Sequence, residues 1–209
     1  MNSKLLNKPV IGVVGGIGSG KSEVARMFAR CGGDLFDADS EVHGLLKDEA
    51  VKLQIKNCFG EAVFDLQGEI DRRELAKIVF GETKSRELLE SILHPLILRN
   101  AEQKIKIFKE FSNFSFLVMD IPLIIEKGWS NLCSFLIFVD CDRTQRLRRC
   151  EKRGWTESEW EKRENSQMPL TKKALFCEYR IDNSGDLAYT NKQVLDLIEK
   201  LNLPCHKTL

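Results

Sequence analysis

Short apolar runs separated by longer amphipathic stretches dominate the pattern of hydrophobic and polar positions along this chain of 209 residues. Continuous apolar runs of this length are typical of strands that are buried on both faces of a parallel sheet. Three such runs lie at 10–14, 116–119 and 135–139, and two further predicted strands, in which polar residues alternate with apolar ones, lie at 34–39 and 179–182. Their alternation with helical patterns predicts an α/β fold in which helices flank a parallel sheet.

Apolar residues at helical spacing occupy the segments between the predicted strands. The segment between the second and third strands is far longer than a single crossover helix requires. Pro95 interrupts its helical pattern, which predicts a kink or a helix boundary near His94. We expect a core formed by residues 8–40, 114–141 and 174–203, a helical insertion over 41–113, and a second, highly charged helical insertion over 142–173.

A glycine-rich segment follows the first predicted strand and opens the first predicted helix. Residues 15–22, called the phosphate loop below, read Gly-Gly-Ile-Gly-Ser-Gly-Lys-Ser and match the pattern of Gly, four free positions and Gly-Lys-Ser/Thr. Glycines permit conformations in which several backbone N–H groups point at phosphate oxygens, and a helix N-terminus adds positive charge. The predicted nucleotide-binding residues are Gly16, Gly18, Ser19, Gly20, Lys21 and Ser22, with the Ser22 hydroxyl as a ligand for Mg²⁺.

Composition narrows the class of protein. The chain has 32 basic and 31 acidic side chains, a balance that argues against nucleic-acid and membrane-surface partners. No apolar run reaches membrane-spanning length, and the N-terminal residues lack the apolar core of a signal peptide. The seven cysteines form no Cys-x-x-Cys motif, so we expect reduced thiols in a cytoplasmic protein.

Aspartates follow the strands at the predicted carboxyl edge of the sheet, where ligands of such folds bind. Asp37 and Asp39 end the second predicted strand, and Asp120 ends the third. A hydroxyl acceptor of a phosphoryl group must lose its proton, and a carboxylate within hydrogen-bond reach can take it. Asp39 therefore favours an alcohol acceptor. The alternative is an N-cap of the next helix, a role that Ser40 fills more easily.

A cluster of basic residues opens the second insertion. Arginines in a mobile lid can neutralise the charge on a transferring phosphoryl group. The alternative is a solvated helix face that pairs with the glutamates that follow. We expect one or two of these side chains to be functional: Arg143, Arg146, Arg148, Arg149, Lys152 and Arg153. The parallel sheet, the phosphate loop and the two helical insertions together favour a small-molecule kinase over a motor or a switch.

The ordered set of motifs resembles the dephospho-coenzyme A kinase family from about Val10 to Leu201. The phosphate loop by itself is generic, whereas the complete order of motifs is specific. The resemblance rests on the phosphate loop, Asp37-Ala38-Asp39, Gly68-Glu69-Ile70-Asp71-Arg72, Leu93-His94-Pro95-Leu96-Ile97, Asp120-Ile121-Pro122-Leu123-Ile124-Ile125-Glu126, Thr144-Gln145 with Arg148, Gln167, and Ile181-Asp182-Asn183.

The resemblance implies a three-layer P-loop kinase fold with a helical acceptor-binding insertion and a helical lid. It implies that ATP, with Mg²⁺, phosphorylates the ribose 3′-hydroxyl of dephospho-CoA to give coenzyme A and ADP, the last step of coenzyme A biosynthesis. Asp39 would be the general base, and Asn183 would border the adenine of ATP. The acceptor side would comprise Asp37, His94, Asp120, Leu123 and Glu126.

The chain departs from the family pattern at several positions. Glu23 stands in the nucleotide site where the family usually has Thr, and its carboxylate would repel an α-phosphate unless it is turned outward or neutralised. Lys152-Arg153 replaces the usual Arg-Asp, which leaves Arg148, Lys152 and Arg153 open as the catalytic lid cation, Arg148 and Lys152 foremost. Two alternatives stay open: another hydroxyl-directed P-loop kinase, or a catalytically weakened nucleotide-binding regulator.

Overall fold

The computed structural model describes residues 8–205, which include a parallel five-stranded sheet. The strands are β1 (Val10–Gly15), β2 (Gly33–Asp37), β3 (Phe116–Asp120), β4 (Phe135–Asp140) and β5 (Tyr179–Asp182), in the order β2-β3-β1-β4-β5. The predicted α/β fold with a parallel sheet is therefore confirmed. β2 ends at Asp37, two residues earlier than predicted, because a helix begins at Ala38.

Helices occupy the segments between the strands. They are α1 (Lys21–Arg30), α2 (Ala38–Leu45), α3 (Glu49–Phe59), α4 (Arg72–Gly81), α5 (Thr83–Phe111), α6 (Arg143–Glu151), α7 (Glu157–Asn165), α8 (Leu170–Ala174) and α9 (Leu187–Lys200). Two short 3₁₀ helices lie at Glu61–Val63 and Trp129–Leu132. Near His94 the sequence predicted a kink or a helix boundary; α5 continues through Pro95, so there is no boundary at this position. None of the described helices is long and apolar enough to span a membrane.

β1 is the middle strand, and its continuous apolar sequence reflects burial on both faces. Ile11 pairs with Val118 on β3 and with Phe135 on β4. Apolar residues of α1 and α9 join these strands in one hydrophobic core, as their helical spacing predicts: Val24, Met27, Phe28, Val194, Leu197 and Ile198. This core holds the carboxyl end of β1, where the phosphate loop begins.

The described chain divides into two compact units. The first comprises residues 8–37 and 105–205, and it contains the sheet together with 142–173, the predicted lid. The second, Ala38–Lys104, is helical. Asp48 and Asp71 cap α3 and α4 within it by accepting hydrogen bonds from backbone N–H groups of the first turn. Its buried Lys52 pairs with Glu49 and Glu69.

Candidate active site

The phosphate loop connects β1 to α1 in a conformation that requires glycine. Gly18 and Gly20 have φ angles of 80° and 89°, in the left-handed region that side chains resist. A Cβ atom at Gly20 would lie 2.2 Å from Nδ2 of Asn183, and one at Gly18 would lie 2.4 Å from the carbonyl oxygen of Arg146. Neighbouring groups therefore press directly against the loop backbone, which leaves a narrow cradle at the N-terminus of α1.

Two side chains of the loop have unusual environments. The Lys21 ammonium donates hydrogen bonds to the carbonyl oxygens of Gly15 (3.1 Å) and Gly16 (2.9 Å), so it folds over the loop. Ser19 is fully buried, and its Oγ has no hydrogen-bond partner among the residues that the structure describes. A buried polar atom without a partner is costly and is a recurring feature of sites that a ligand or ion completes. Both features fit a phosphate site.

Asn183 and Arg149 support the loop from the end of β5 and from α6. Asn183 is 3% exposed, and its Nδ2 donates to the carbonyl oxygen of Ser19 at 2.7 Å. Its Oδ1 accepts a 2.8 Å hydrogen bond from the buried hydroxyl of Thr190 on α9. Arg149 donates to the carbonyl oxygens of Ser19 (3.1 Å) and Asn183 (2.8 Å). The Asn183 amide, predicted to border the adenine, is thus engaged in holding the loop.

A second set of contacts connects the other side of the loop to α7. Arg146 is 6% exposed and forms an ion pair with Glu164. The Glu164 carboxylate also accepts a 3.3 Å hydrogen bond from the N–H of Ile17, whose carbonyl oxygen accepts one from Nε1 of Trp160 at 3.3 Å. The guanidinium of Arg146 lies 5.1 Å from the centre of the Trp160 ring. A carboxylate therefore occupies one of the N–H donors of the phosphate loop.

The predicted lid cations Arg148 and Lys152 are both exposed, and neither of their side chains forms a hydrogen bond or ion pair with another residue of 8–205. The basic residues of this cluster that contact the phosphate loop are Arg149, through its hydrogen bonds, and Arg146, through Glu164. Sequence reasoning named both in the cluster without singling them out. Their spacing of three residues puts them on one face of α6, a signal that the sequence does contain.

Glu23 lies in the first turn of α1 and is turned along the exposed side of that helix. Its carboxylate pairs with Arg30 at 2.9 Å and with Arg26 at 3.7 Å. These two guanidinium groups neutralise the carboxylate. The repulsion between Glu23 and an α-phosphate is therefore expected to be weak.

Aspartates and a turn form the edge of the sheet beside the loop. Asp37 at the end of β2 is in register with Asp120 at the end of β3, and Asp120 is 5% exposed. The chain then turns at Leu123, whose φ of 62° is rare for a residue with a side chain. A small cleft lies between this turn and the loop. Its lining includes Gly15, Lys21, Leu123, Glu126, Gln167 and Lys173.

Lys173 is a residue of this cleft that sequence reasoning missed. It lies on α8, is 2% exposed, and its ammonium is 2.8 Å from Oε1 of Glu126 and 2.8 Å from Oε1 of Gln167. In the sequence it follows Lys172 in a charged segment and looks like an ordinary surface lysine. The sequence signal for this part of the cleft was its hydrogen-bond partner Gln167, which belongs to the motifs shared with the family.

The remaining predicted residues lie in the second unit. Asp39 is exposed and is the second residue of α2, so it does not occupy the N-cap position that the alternative interpretation required. It follows β2 after one intervening residue. His94 is half-buried on α5, immediately before Pro95. Within the described residues, no group of three or more His, Cys, Asp or Glu side chains could hold a metal ion.

Comparisons with known proteins agree with this geometry. The profile of the dephospho-CoA kinase family matches residues 9–189. A dephospho-CoA kinase from Aquifex aeolicus is 36% identical over 192 residues, which cover 91% of this chain and 96% of that protein. TT1252 from Thermus thermophilus has a similar structure, with a TM-score of 0.76, 29% identity, and coverage of 93% of this chain and 98% of that one.

A dephospho-CoA kinase from Campylobacter jejuni shares the fold, with a TM-score of 0.66 at 23% identity and coverage of 93% of this chain and 97% of that one. The family profile extends over the phosphate loop, the turn after β3 and Asn183, and the match to the Aquifex relative covers 91% of the chain. The chain therefore belongs to the dephospho-CoA kinase family.

Proposed function

We propose that this kinase transfers the γ-phosphoryl group of ATP to the ribose 3′-hydroxyl of dephospho-CoA, which yields coenzyme A and ADP in the last step of coenzyme A biosynthesis. Family membership supports the kinase activity and the acceptor. The observation that carries the chemistry is the glycine cradle with Lys21 folded over it at the N-terminus of α1. Backbone N–H groups, a helix N-terminus and a lysine are the groups that bind the phosphates of a nucleotide.

The roles of the side chains follow from their chemistry. Lys21 would leave the carbonyl oxygens of Gly15 and Gly16 and neutralise charge on the β- and γ-phosphates. Asp39 would accept the proton of the ribose hydroxyl, as an exposed carboxylate that comes directly after β2. Leu123 and Glu126, which line the cleft, would face the acceptor. The family resemblance adds Asp37, His94 and Asp120 as acceptor-binding residues.

The Ser22 hydroxyl in the first turn of α1 is a hard oxygen donor and suits Mg²⁺ that arrives with the nucleotide. Magnesium held there would reduce the negative charge of the nucleotide phosphates. Arg148 and Lys152 extend into solvent on α6 and its C-terminal end, where they are available to a nucleotide or acceptor. The neutral charge balance and the free thiols support a cytoplasmic enzyme without nucleic-acid or membrane partners.

An assay of ADP release with ATP, Mg²⁺ and dephospho-CoA tests the proposal, with the product identified by mass spectrometry. We expect ADP and a product that is heavier by one phosphate. Coenzyme A itself is the matched control acceptor, because its 3′-hydroxyl is already phosphorylated. Lys21→Ala should abolish turnover without unfolding the protein. ADP release at the same rate with coenzyme A, or full turnover by Lys21→Ala, would contradict the assignment, and a panel of other hydroxyl acceptors would then follow.

A further inference from the structure

We propose that Lys173 is a positioning residue for phosphoryl transfer, which fixes the turn after β3 (residues 121–128) as one wall of the cleft. The proposal rests on the proposed function for its kinetic consequence. Its structural basis is independent of the acceptor, because every contact involved lies within the sheet-containing unit.

Lys173 joins three parts of the chain at one buried point. Its ammonium, on α8, contacts Glu126 in the turn and Gln167 in the segment between α7 and α8, each at 2.8 Å. Oε1 of Glu126 also accepts a 3.2 Å hydrogen bond from the N–H of Met168. The side chains of Lys173 and Glu126 are 3% and 19% exposed. A charged pair this deeply buried is retained only when each charge keeps its partner, so removal of the lysine leaves a carboxylate without compensation.

The turn that Glu126 anchors is strained. Leu123 has a φ of 62°, and Gly128 closes the segment with a φ of 73°. The N–H of Lys127 donates to the carbonyl oxygen of Leu123 at 2.9 Å, and the N–H of Trp129 donates to that of Ile124 at 2.9 Å. A non-glycine residue remains in this region of φ only when its surroundings determine its conformation. The Lys173–Glu126 ion pair supplies such a constraint from outside the turn.

The strained turn matters because Leu123 and Glu126 line the same cleft as Lys21. A reacting group that is misplaced by about 1 Å can lose roughly 100-fold in rate, since phosphoryl transfer depends on alignment. Among the described residues, the ammonium of Lys173 forms its hydrogen bonds and ion pair with Glu126 and Gln167 and none with the phosphate loop. Its proposed effect on the reaction therefore passes through the turn that Glu126 belongs to, although Lys173 lines the same cleft.

Lys173→Met, which preserves the length and apolar character of the side-chain stem, tests this inference. Lys172→Met is the matched control, because Lys172 is the exposed neighbour on the same short helix. We expect Lys173→Met to lower kcat by about 10-fold or more and to raise KM for dephospho-CoA, while the Kd for ATP changes less than about threefold. Lys172→Met should match the wild type in all three. Lys173→Arg, which retains the charge, should recover part of the loss in kcat.

Hydrogen–deuterium exchange supplies a readout that does not depend on the acceptor. The amides of residues 121–128 should exchange faster in Lys173→Met than in Lys172→Met, while the strand amides of β1 and β4 exchange at the same rate in both. Unchanged exchange in the turn, or unchanged kcat and KM in an active enzyme, would overturn the proposal. A wild-type protein without turnover would instead contradict the proposed function, and the exchange data would still decide the role of Lys173 in the turn.

Discussion

Thr190→Val should weaken the nucleotide site from a distance by leaving Asn183 without its donor. The Thr190 hydroxyl is fully buried on α9 and donates to Oδ1 of Asn183 at 2.8 Å, while Nδ2 of the same amide holds the carbonyl oxygen of Ser19 at 2.7 Å. Valine has nearly the same shape as threonine, so the substitution removes the hydrogen bond without opening a cavity.

The magnitude follows from the burial of both partners. A net hydrogen bond contributes about 1 kcal/mol, and a buried acceptor that loses its donor costs roughly 1–3 kcal/mol. Because Asn183 is 3% exposed, water cannot easily replace the lost hydroxyl. We therefore expect Thr190→Val to reduce the free energy of unfolding by about 1–3 kcal/mol. We also expect an increase in KM for ATP of a few-fold, since the amide no longer holds Ser19 in one orientation.

Urea unfolding and steady-state kinetics measure the two effects. A double-mutant cycle with Asn183→Leu isolates the pair, and its coupling energy should be about 1 kcal/mol. Thr190→Ser retains the hydroxyl but loses a methyl group, so it should destabilise the fold while leaving KM for ATP near the wild-type value. The reasoning is refuted if the free energy of unfolding of Thr190→Val lies within about 0.3 kcal/mol of the wild-type value and its KM for ATP is unchanged. A coupling energy of zero between Thr190 and Asn183 would also refute it.

Three further substitutions test the candidate active site, and a thiol-labelling experiment tests the burial of a cysteine. Asp39→Asn should lower kcat by roughly 100-fold with a small effect on ATP binding, and unchanged turnover would exclude it as the base. Glu23→Thr should change KM for ATP less than about threefold, because two arginines already neutralise this carboxylate; a larger decrease would show repulsion. Glu164→Gln should tighten ATP binding several-fold but leave adenosine binding unchanged, because it removes the negative charge that accepts a hydrogen bond from a backbone N–H of the phosphate loop. An equal change in the affinities for ATP and adenosine would contradict this prediction. Burial raises the pKa of Cys133 to about 12, so its thiol stays protonated at pH 8 and should react with iodoacetamide far more slowly than exposed Cys58, as mass spectrometry can follow.

Features that depend on neighbouring residues in the chain could be predicted from the sequence. The phosphate loop is such a feature, because its glycines, its lysine and the helix that follows form one continuous segment. β1, β3 and β4 were also predictable, since strands buried on both faces require continuous apolar runs. The end of β2 was misplaced by two residues, because Ala38 and Asp39 are compatible with either a strand end or the first turn of a helix.

Features that depend on how a helix faces the rest of the fold could not be predicted in this way. Arg146 and Arg149 contact the phosphate loop directly or through Glu164, whereas Arg148 and Lys152 lie on another face of the helical turn and are exposed. All are basic residues in one short segment, so composition does not separate them. A rotation of about 100° per residue decides which of them reaches the loop, and the contacts of α6 with Cys141 and with α7 set that rotation.

By itself, the sequence determined the parallel sheet, the phosphate loop and the family, because each is specified by residues in a fixed order along the chain. Only the tertiary structure decided three contacts of charged side chains. Lys173 is buried against Glu126, and Glu23 forms ion pairs with Arg26 and Arg30. The Glu164 carboxylate accepts a hydrogen bond from a backbone N–H group of the phosphate loop. These contacts join side chains whose environment depends on distant elements. Burial and pairing of a charge are properties of the folded chain, and the identity of a residue does not contain them.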